Sequence, residues 1–104
     1  MLELRPNCEL CNVDLPPACE NAFICTYECT YCENCVKTVL HDVCPTCGGN
    51  FTQRPIRPRQ SWRPEERLGL GYHPAGTVRR YSKFTSDDIL AHVERLKQIT
   101  PQNR

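Results

Sequence analysis

The amino-acid sequence predicts a small α+β fold in which cross-links, rather than a large apolar core, hold the chain together. The chain has 104 residues, which leaves room for one small domain and a tail, and small domains bury little surface. All nine cysteines lie in the first fifty residues, where large apolar side chains are few. The rest of the chain is polar and rich in proline and glycine, except near its C-terminus.

These observations divide the chain into three predicted segments. Residues 1–50 form a cysteine-rich, metal-dominated domain, because the cross-linking residues are concentrated there. Residues 51–84 form a basic Pro/Gly-rich linker or extended tail, since no apolar period persists in this stretch. Residues 85–100 form one amphipathic helix.

Eight of the nine cysteines form four close pairs. The spacing is Cys8-x2-Cys11-x13-Cys25-x3-Cys29-x2-Cys32-x2-Cys35-x8-Cys44-x2-Cys47, and Cys19 lies in the long gap. Zn²⁺ prefers four tetrahedral ligands, and two cysteines in a tight turn can present two thiolates to one ion. Four pairs therefore predict two closed metal sites, and two Zn²⁺ ions are the expected cofactors.

Disulfide bonding and membrane insertion are less favoured. Nine cysteines would leave one thiol over, and the N-terminus, "MLELRPNCEL", lacks the pattern of a signal peptide. No apolar run approaches the roughly 18 residues that a membrane helix needs. We therefore expect a soluble protein in the reducing cytoplasm, with no membrane anchor.

The residues around the cysteines resemble those of a RING finger. "AFIC" supplies a short apolar strand, Tyr31 precedes the fifth ligand, and "CPTC" matches the Cys-Pro-x-Cys ending. In "VKTVLHDV", Val36, Val39 and Leu40 share one helical face, as a treble-clef finger requires. The resemblance implies a cross-brace in which the first and third pairs share one ion and the second and fourth share the other. Site one would be Cys8, Cys11, Cys32 and Cys35, and site two Cys25, Cys29, Cys44 and Cys47.

A second resemblance is narrower. The stretches "MLELRPNCELCNVDLPP", "CTYECTYCENC" and "VCPTCGGN" are similar to the short bacterial proteins grouped as domain of unknown function 1272. This resemblance implies membership without implying an activity. It covers about the first half of the chain, so it implies nothing for the tail.

The same cysteines also fit other patterns. "CTYECTYC" fits the Cys-x3-Cys-x2-Cys triplet of radical enzymes that use S-adenosylmethionine, but 104 residues cannot build their barrel. Thiolate quartets also bind the clusters of simple iron–sulfur carriers, but the even pairing of the cysteines favours zinc. Cys19 is expected to be an ordinary loop side chain, and His41 a surface residue or a support for the ligands. No catalytic set of side chains is present, so we expect a protein that is not an enzyme.

The tail and the C-terminal helix carry their own signals. Residues 1–50 have a net charge of −5 and residues 51–83 one of +6, so we expect the tail to fold back on acids such as Glu28, Glu33 or Asp42. Thr85 or Ser86 can cap a helix that Pro101 closes. Its apolar stripe, which we expect to pack on the chain's own finger or on a second copy, consists of Ile89, Val93 and Leu96, with Leu90 and Ile99 more loosely aligned.

Three functions are compatible with such a chain. A protein-interaction module with an unidentified protein partner is favoured, and nucleic-acid binding by the arginine-rich tail, with its interleaved aromatics, is second. A RING-type ubiquitin ligase is third. Leu10 and Pro45 fit the surface that recruits a conjugating enzyme, but Val39 stands where a Trp is frequent and Gly48 where a basic residue is frequent. The oligomeric state is not predicted.

Overall fold

A computed structural model describes all residues, 1–104, and confirms a small α+β fold. Its antiparallel sheet has the strand order β2-β1-β3. The molecule is elongated, with principal extents of 48 × 27 × 19 Å. No helix has the length and apolar character required to traverse a membrane. The elements are β1 (Ala22–Ile24), β2 (Thr30–Cys32), α1 (Glu33–Cys35) continuing as a π-helical turn (Val36–Leu40), β3 (Thr52–Gln53), a 3-10 turn (Pro64–Glu66), α2 (Ser86–Leu96) and a last 3-10 turn (Pro101–Asn103).

The sheet brings the central cysteines, around β1 and β2, next to the chain that follows the last cysteine pair. Strands β1 and β2 form a hairpin in which Phe23 faces Tyr31, and the left-handed residue Glu28, with φ of 68°, closes its loop. Strand β3 pairs with the other edge of β1, so that Phe23 also faces Gln53. This strand begins at Thr52, just beyond the boundary predicted at residue 50. We therefore call residues 1–53 the finger and residues 54–84 the arm, while the three-part domain division stays a prediction.

Cysteines make up much of the small core. The main buried cluster contains 15 residues, six of which are cysteines. Tyr31 and Phe51 pack edge to face within it, with ring centroids 5.4 Å apart. Because so few large apolar side chains are present, the core and the metal-ligand candidates are largely the same residues. The apolar members of the cluster are Leu15, Ala22, Tyr31, Val36, Leu40, Val43, Phe51, Ile89 and Val93.

The arm has almost no regular secondary structure, yet it is hydrogen-bonded along the finger. The Gly76 N–H donates to the Leu4 carbonyl at 2.9 Å. The Asn7 side chain donates to the Arg80 carbonyl at 2.8 Å and accepts from the Arg80 N–H at 3.1 Å. At the start of the arm, Arg54 is only 2% exposed and donates to three finger carbonyls. The arm therefore folds back on the finger.

The acids that the arm meets are not those expected from the sequence. Arg79 pairs with Asp14 at 2.7 Å and Arg80 with Glu3 at 3.3 Å. The three acids named in the sequence analysis are used within the finger instead, so that part of the expectation was wrong. The Glu28 side chain accepts from the Glu3 N–H, Glu33 pairs with Lys37, and Asp42 accepts from the Phe51 N–H.

Helix α2 begins at the cap that the sequence indicated and packs on the finger. The Thr85 hydroxyl accepts from the Asp88 N–H at 3.1 Å, and the Asp88 carboxylate accepts from the Thr85 N–H at 3.3 Å. This reciprocal capping satisfies two N–H groups that a helix start leaves free. Ile89 and Val93 are buried in the core cluster, whereas Leu90 is 61% exposed. Leu96 also packs against this cluster, so the three main positions of the predicted stripe contact the finger, while the loosely aligned Leu90 and Ile99 are exposed.

Candidate metal centre

The first cluster contains the four cysteines expected for site one. The sulfur atoms of Cys8, Cys11, Cys32 and Cys35 all lie within 4.8 Å of one another. Cys8 and Cys11 lie in a tight turn that Asn12 closes in a left-handed conformation, with φ of 68°. The other two cysteines come from the end of β2 and from α1. Two regular elements and one turn thus converge on the cluster.

Backbone N–H groups point at the sulfurs of this first cluster. The Cys11 N–H donates to Cys8 Sγ and the Cys35 N–H donates to Cys32 Sγ, each at 3.5 Å. Such hydrogen bonds favour the ionised thiolate, which is the form that binds metal. The turn geometry therefore prepares the sulfurs for a cation.

The second cluster contains three of the four cysteines expected for site two. The sulfurs of Cys25, Cys44 and Cys47 lie within 4.8 Å of one another. Cys29 is outside this group, although the thiols of Cys44 and Cys25 lie close enough to lower its pKa. Gly48, with φ of 80°, allows the turn that carries the last two cysteines. The pairing of the second and fourth cysteine pairs is thus visible, with Cys29 at its margin.

The cysteines of the stretch "CTYECTYCENC" are divided between the two clusters. Its first cysteine joins the C-terminal turn, while Cys32 and Cys35 join the N-terminal turn. The arrangement is the cross-brace that the RING resemblance implies. The spacing and the charge of the sulfurs bear on ion binding.

The spacing of the sulfurs suits a single tetrahedral ion. Zn–S bonds of about 2.3 Å in tetrahedral geometry place two sulfurs about 3.8 Å apart. The Cys11 and Cys32 sulfurs are 3.7 Å apart. Each ligand is a cysteine, and no histidine or carboxylate belongs to either cluster. The residues present therefore fit a metal that prefers thiolates.

The thiols cannot all ionise easily without a cation. The hydrogen bond with Cys44 lowers the pKa of Cys29 to about 6, while burial raises the pKa of Cys25 to about 11. The hydrogen bond with Cys29, together with burial, raises the pKa of Cys44 well above its usual range. In the first cluster, burial raises the pKa of Cys32 and of Cys35. The four thiolates of the first cluster, and the three of the second, can coexist once a bound cation offsets their charge.

The C-terminus of the chain covers the second cluster, a role that the sequence did not reveal. His92 of α2 forms a hydrogen bond of 3.0 Å with the Cys44 carbonyl. The Arg104 guanidinium donates to the Gly48 carbonyl at 3.1 Å and to the Asp42 carbonyl at 2.9 Å. A Cβ atom at Gly48 would lie 3.0 Å from Leu96, so the helix lies directly on the turn. Only the apolar spacing of α2 could have indicated this packing.

The remaining candidates lie away from the two clusters. Cys19 is half-buried, and its sulfur is 3.9 Å from the Arg54 guanidinium. His41 follows the π-helical turn in a left-handed conformation with φ of 47°. His73 lies in the arm, where its carbonyl accepts from Arg57 at 2.8 Å. None of these three residues is among the clustered ligands.

The comparisons with known proteins agree with the resemblance seen in the sequence. A family model described as a protein of unknown function (DUF1272) matches residues 1–57. An uncharacterized protein of Rhizobium meliloti (strain 1021) is 48% identical over 79 residues, which cover 76% of this chain and 84% of the relative. No solved structure matches the chain. On the strength of the family model and this relative, the chain belongs to the DUF1272 family.

Proposed function

We propose that this chain is a structural zinc protein that binds two Zn²⁺ ions and serves as a protein-interaction module. The observation that carries the zinc assignment is the pair of cysteine clusters, with sulfurs within 4.8 Å of one another in each. Site one takes Cys8, Cys11, Cys32 and Cys35. Site two takes Cys25, Cys44 and Cys47, with Cys29 as the fourth ligand.

Zinc is favoured over an iron–sulfur cluster on geometric grounds. A cluster places several irons and bridging sulfides between the protein sulfurs, which separates those sulfurs widely. All four sulfurs of site one instead lie within 4.8 Å of one another, as four thiolates bound to a single ion do. Thiolate ligation also requires reduced cysteines, which supports placing the protein in the reducing cytoplasm.

Closed four-thiolate sites support a structural rather than a catalytic role. A catalytic zinc keeps one position open for water or substrate, whereas four protein ligands fill a tetrahedral ion. The bound ions would supply the cross-links that the small core lacks, because metal binding contributes directly to the free energy of folding. The finger then acts as a platform that holds the arm and α2.

A ligase-type recruitment surface is disfavoured because α2 packs beside it and occupies part of it. Leu10 and Val39, which occupy recruitment positions in the RING resemblance, line a cleft of about 230 Å³ together with Ile89 and Leu90 of α2. The third recruitment position, Pro45, also faces α2. The face that would receive a conjugating enzyme is therefore in contact with the chain's own helix.

The metal assignment is tested by counting ions in the intact protein. Native mass spectrometry should find two Zn²⁺ per wild-type chain, one in Cys11→Ser, one in Cys47→Ser, and two in the matched control Cys19→Ser. Bound iron with visible absorbance, or a single ion in the wild type, would refute the two-zinc assignment. Loss of both ions in each single-ligand variant would instead refute two separate sites.

The interaction role is tested by affinity capture with the full zinc-loaded chain from cells of its source organism. We expect a protein that binds stoichiometrically when purified, and no chemical turnover attributable to the chain. Failure to find any protein that binds the purified chain would count against the interaction role while leaving the zinc assignment intact.

A further inference from the structure

The arm contains one closed, internally bonded loop, residues 58–70, which we call the Trp62 loop. The Leu70 N–H donates to the Pro58 carbonyl at 2.9 Å and joins the two ends. The Leu68 N–H donates to the Ser61 hydroxyl at 3.3 Å. Gly69 has φ of +94°, and a Cβ atom there would lie 2.7 Å from the Gln60 carbonyl. The loop conformation therefore depends on glycine and is preorganised.

This loop presents the single tryptophan of the chain to solvent. Trp62 is 77% exposed, and Leu68 of the same loop is 54% exposed. An isolated exposed apolar side chain is ordinary on a protein surface. An indole held out by a loop that is closed by its own hydrogen bonds is different, because less conformational entropy is lost when a partner covers it.

The arginines of the arm divide into two groups by position. Those outside the Trp62 loop are used inside the chain: Arg54 and Arg57 bind carbonyls, and Arg79 and Arg80 bind finger acids. The three arginines within the loop are exposed, and their side chains make no hydrogen bond or ion pair in the chain. These free arginines are Arg59, Arg63 and Arg67.

We propose that the Trp62 loop is the docking surface for a mixed-charge segment of another protein, one that offers carboxylates to the loop's arginines and cations to its glutamates. The indole of Trp62 enters an apolar pocket of that partner, and the free arginines pair with its carboxylates. Trp and Arg are the side chains most often responsible for binding energy at protein interfaces, and the guanidinium matches a carboxylate bidentately. This proposal rests on the interaction role proposed above and names the surface that performs it.

The charges of the loop favour a protein over a nucleic acid. Glu65 and Glu66 lie on the 3-10 turn between Arg63 and Arg67, and both are exposed without a cationic partner. With three arginines against these two glutamates, the loop has a net charge of only +1. A phosphate backbone would meet both glutamates with like charge, whereas a protein surface can offer carboxylates and cations in register.

The first experiment locates the partner on the loop. A photo-crosslinking amino acid is placed at Leu68, inside the loop, or at Val78, which is 73% exposed in the arm outside it. The full zinc-loaded chain is irradiated in cells of its source organism, and the adducts are identified by mass spectrometry. We expect a protein adduct from position 68 that position 78 does not give.

The second experiment measures affinity for that purified protein. Trp62→Ala should weaken binding by about 30-fold or more, since hot-spot losses begin near 2 kcal/mol. Replacing the three loop arginines with Gln should weaken it further and reduce its salt dependence. Gly69→Ala should weaken binding although it keeps every loop charge and the indole. Tyr27→Ala and Arg95→Gln, exposed residues outside the loop, should stay within about twofold of wild type.

The outcomes separate the two proposals. A partner that binds the Trp62 and arginine variants as tightly as wild type would overturn the loop assignment and leave the interaction role standing. Adducts to RNA or DNA alone, or no adduct at position 68, would also overturn it. Each variant is first shown to retain two Zn²⁺ ions, so a loss of binding cannot be attributed to an unfolded finger.

Discussion

Replacing Arg54 with methionine should destabilise the finger, because this guanidinium fixes the start of the arm. Besides the Cys19 sulfur at 3.9 Å, its acceptors are three carbonyls, those of Arg5 at 2.9 Å, Leu15 at 3.1 Å and Pro16 at 3.1 Å. No carboxylate pairs with Arg54, and its burial lowers its pKa. The cation is thus held by carbonyl dipoles rather than by an ion pair.

The expected magnitude follows from the surroundings of these carbonyls. Leu15 is 1% exposed, so its carbonyl cannot rehydrate in place, and a buried acceptor without a donor costs about 1–3 kcal/mol. The Arg5 and Pro16 carbonyls can regain water, at a net loss of about 1 kcal/mol each. The substitution by methionine regains part of this lost free energy, because a cation without an anionic partner is then no longer buried. We expect the free energy of unfolding to fall by about 3 kcal/mol.

Urea unfolding at saturating Zn²⁺, followed by circular dichroism, measures this difference. Arg59→Met is the matched control, since Arg59 is exposed in the same arm and should change stability by less than about 0.5 kcal/mol. Both variants should retain two Zn²⁺ ions, which separates loss of the arm contact from loss of metal. If Arg54→Met unfolds at the same urea concentration as wild type, the carbonyl contacts contribute nothing and the reasoning fails.

Three further predictions concern the metal and α2. Chelating the metal should collapse the amide chemical-shift dispersion over residues 8–47, because six of the 15 core residues are cysteines. Dispersion that persists after chelation would mean that the core is stable without metal. Deleting residues 85–104 should speed zinc release to a chromogenic chelator from one of the two sites, since His92 and Arg104 bind carbonyls around the second cluster only; equal acceleration at both sites would contradict this local role. Thr85→Ala should lower the free energy of unfolding by about 1 kcal/mol, measured by urea unfolding, whereas Thr85→Ser should retain most of it; equal losses would argue against the hydroxyl cap.

The sequence predicted the features that depend on local spacing. Cysteine pairs lie in short turns, so their spacing and the RING resemblance together indicated which pairs converge, and Thr85 marked the start of α2. Contacts set by the path of the arm were not predictable. An arginine among prolines indicates a solvated tail, yet Arg54 is buried because β3 carries it under the N-terminal turn. The acids that meet the arm differ from those expected for the same reason.

The single hydrogen bond between Leu70 and Pro58 has a consequence for how this chain can diverge. Because the two ends of the loop are joined by this hydrogen bond, residues between them can be exchanged, added or removed without moving either cysteine cluster. The entropy cost of closing the loop rises only slightly as its length grows. The Trp62 loop can thus vary in sequence and length while the rest of the fold is retained. A chain altered in this segment would thus expose a different surface there while its cysteine-bearing half stays constant.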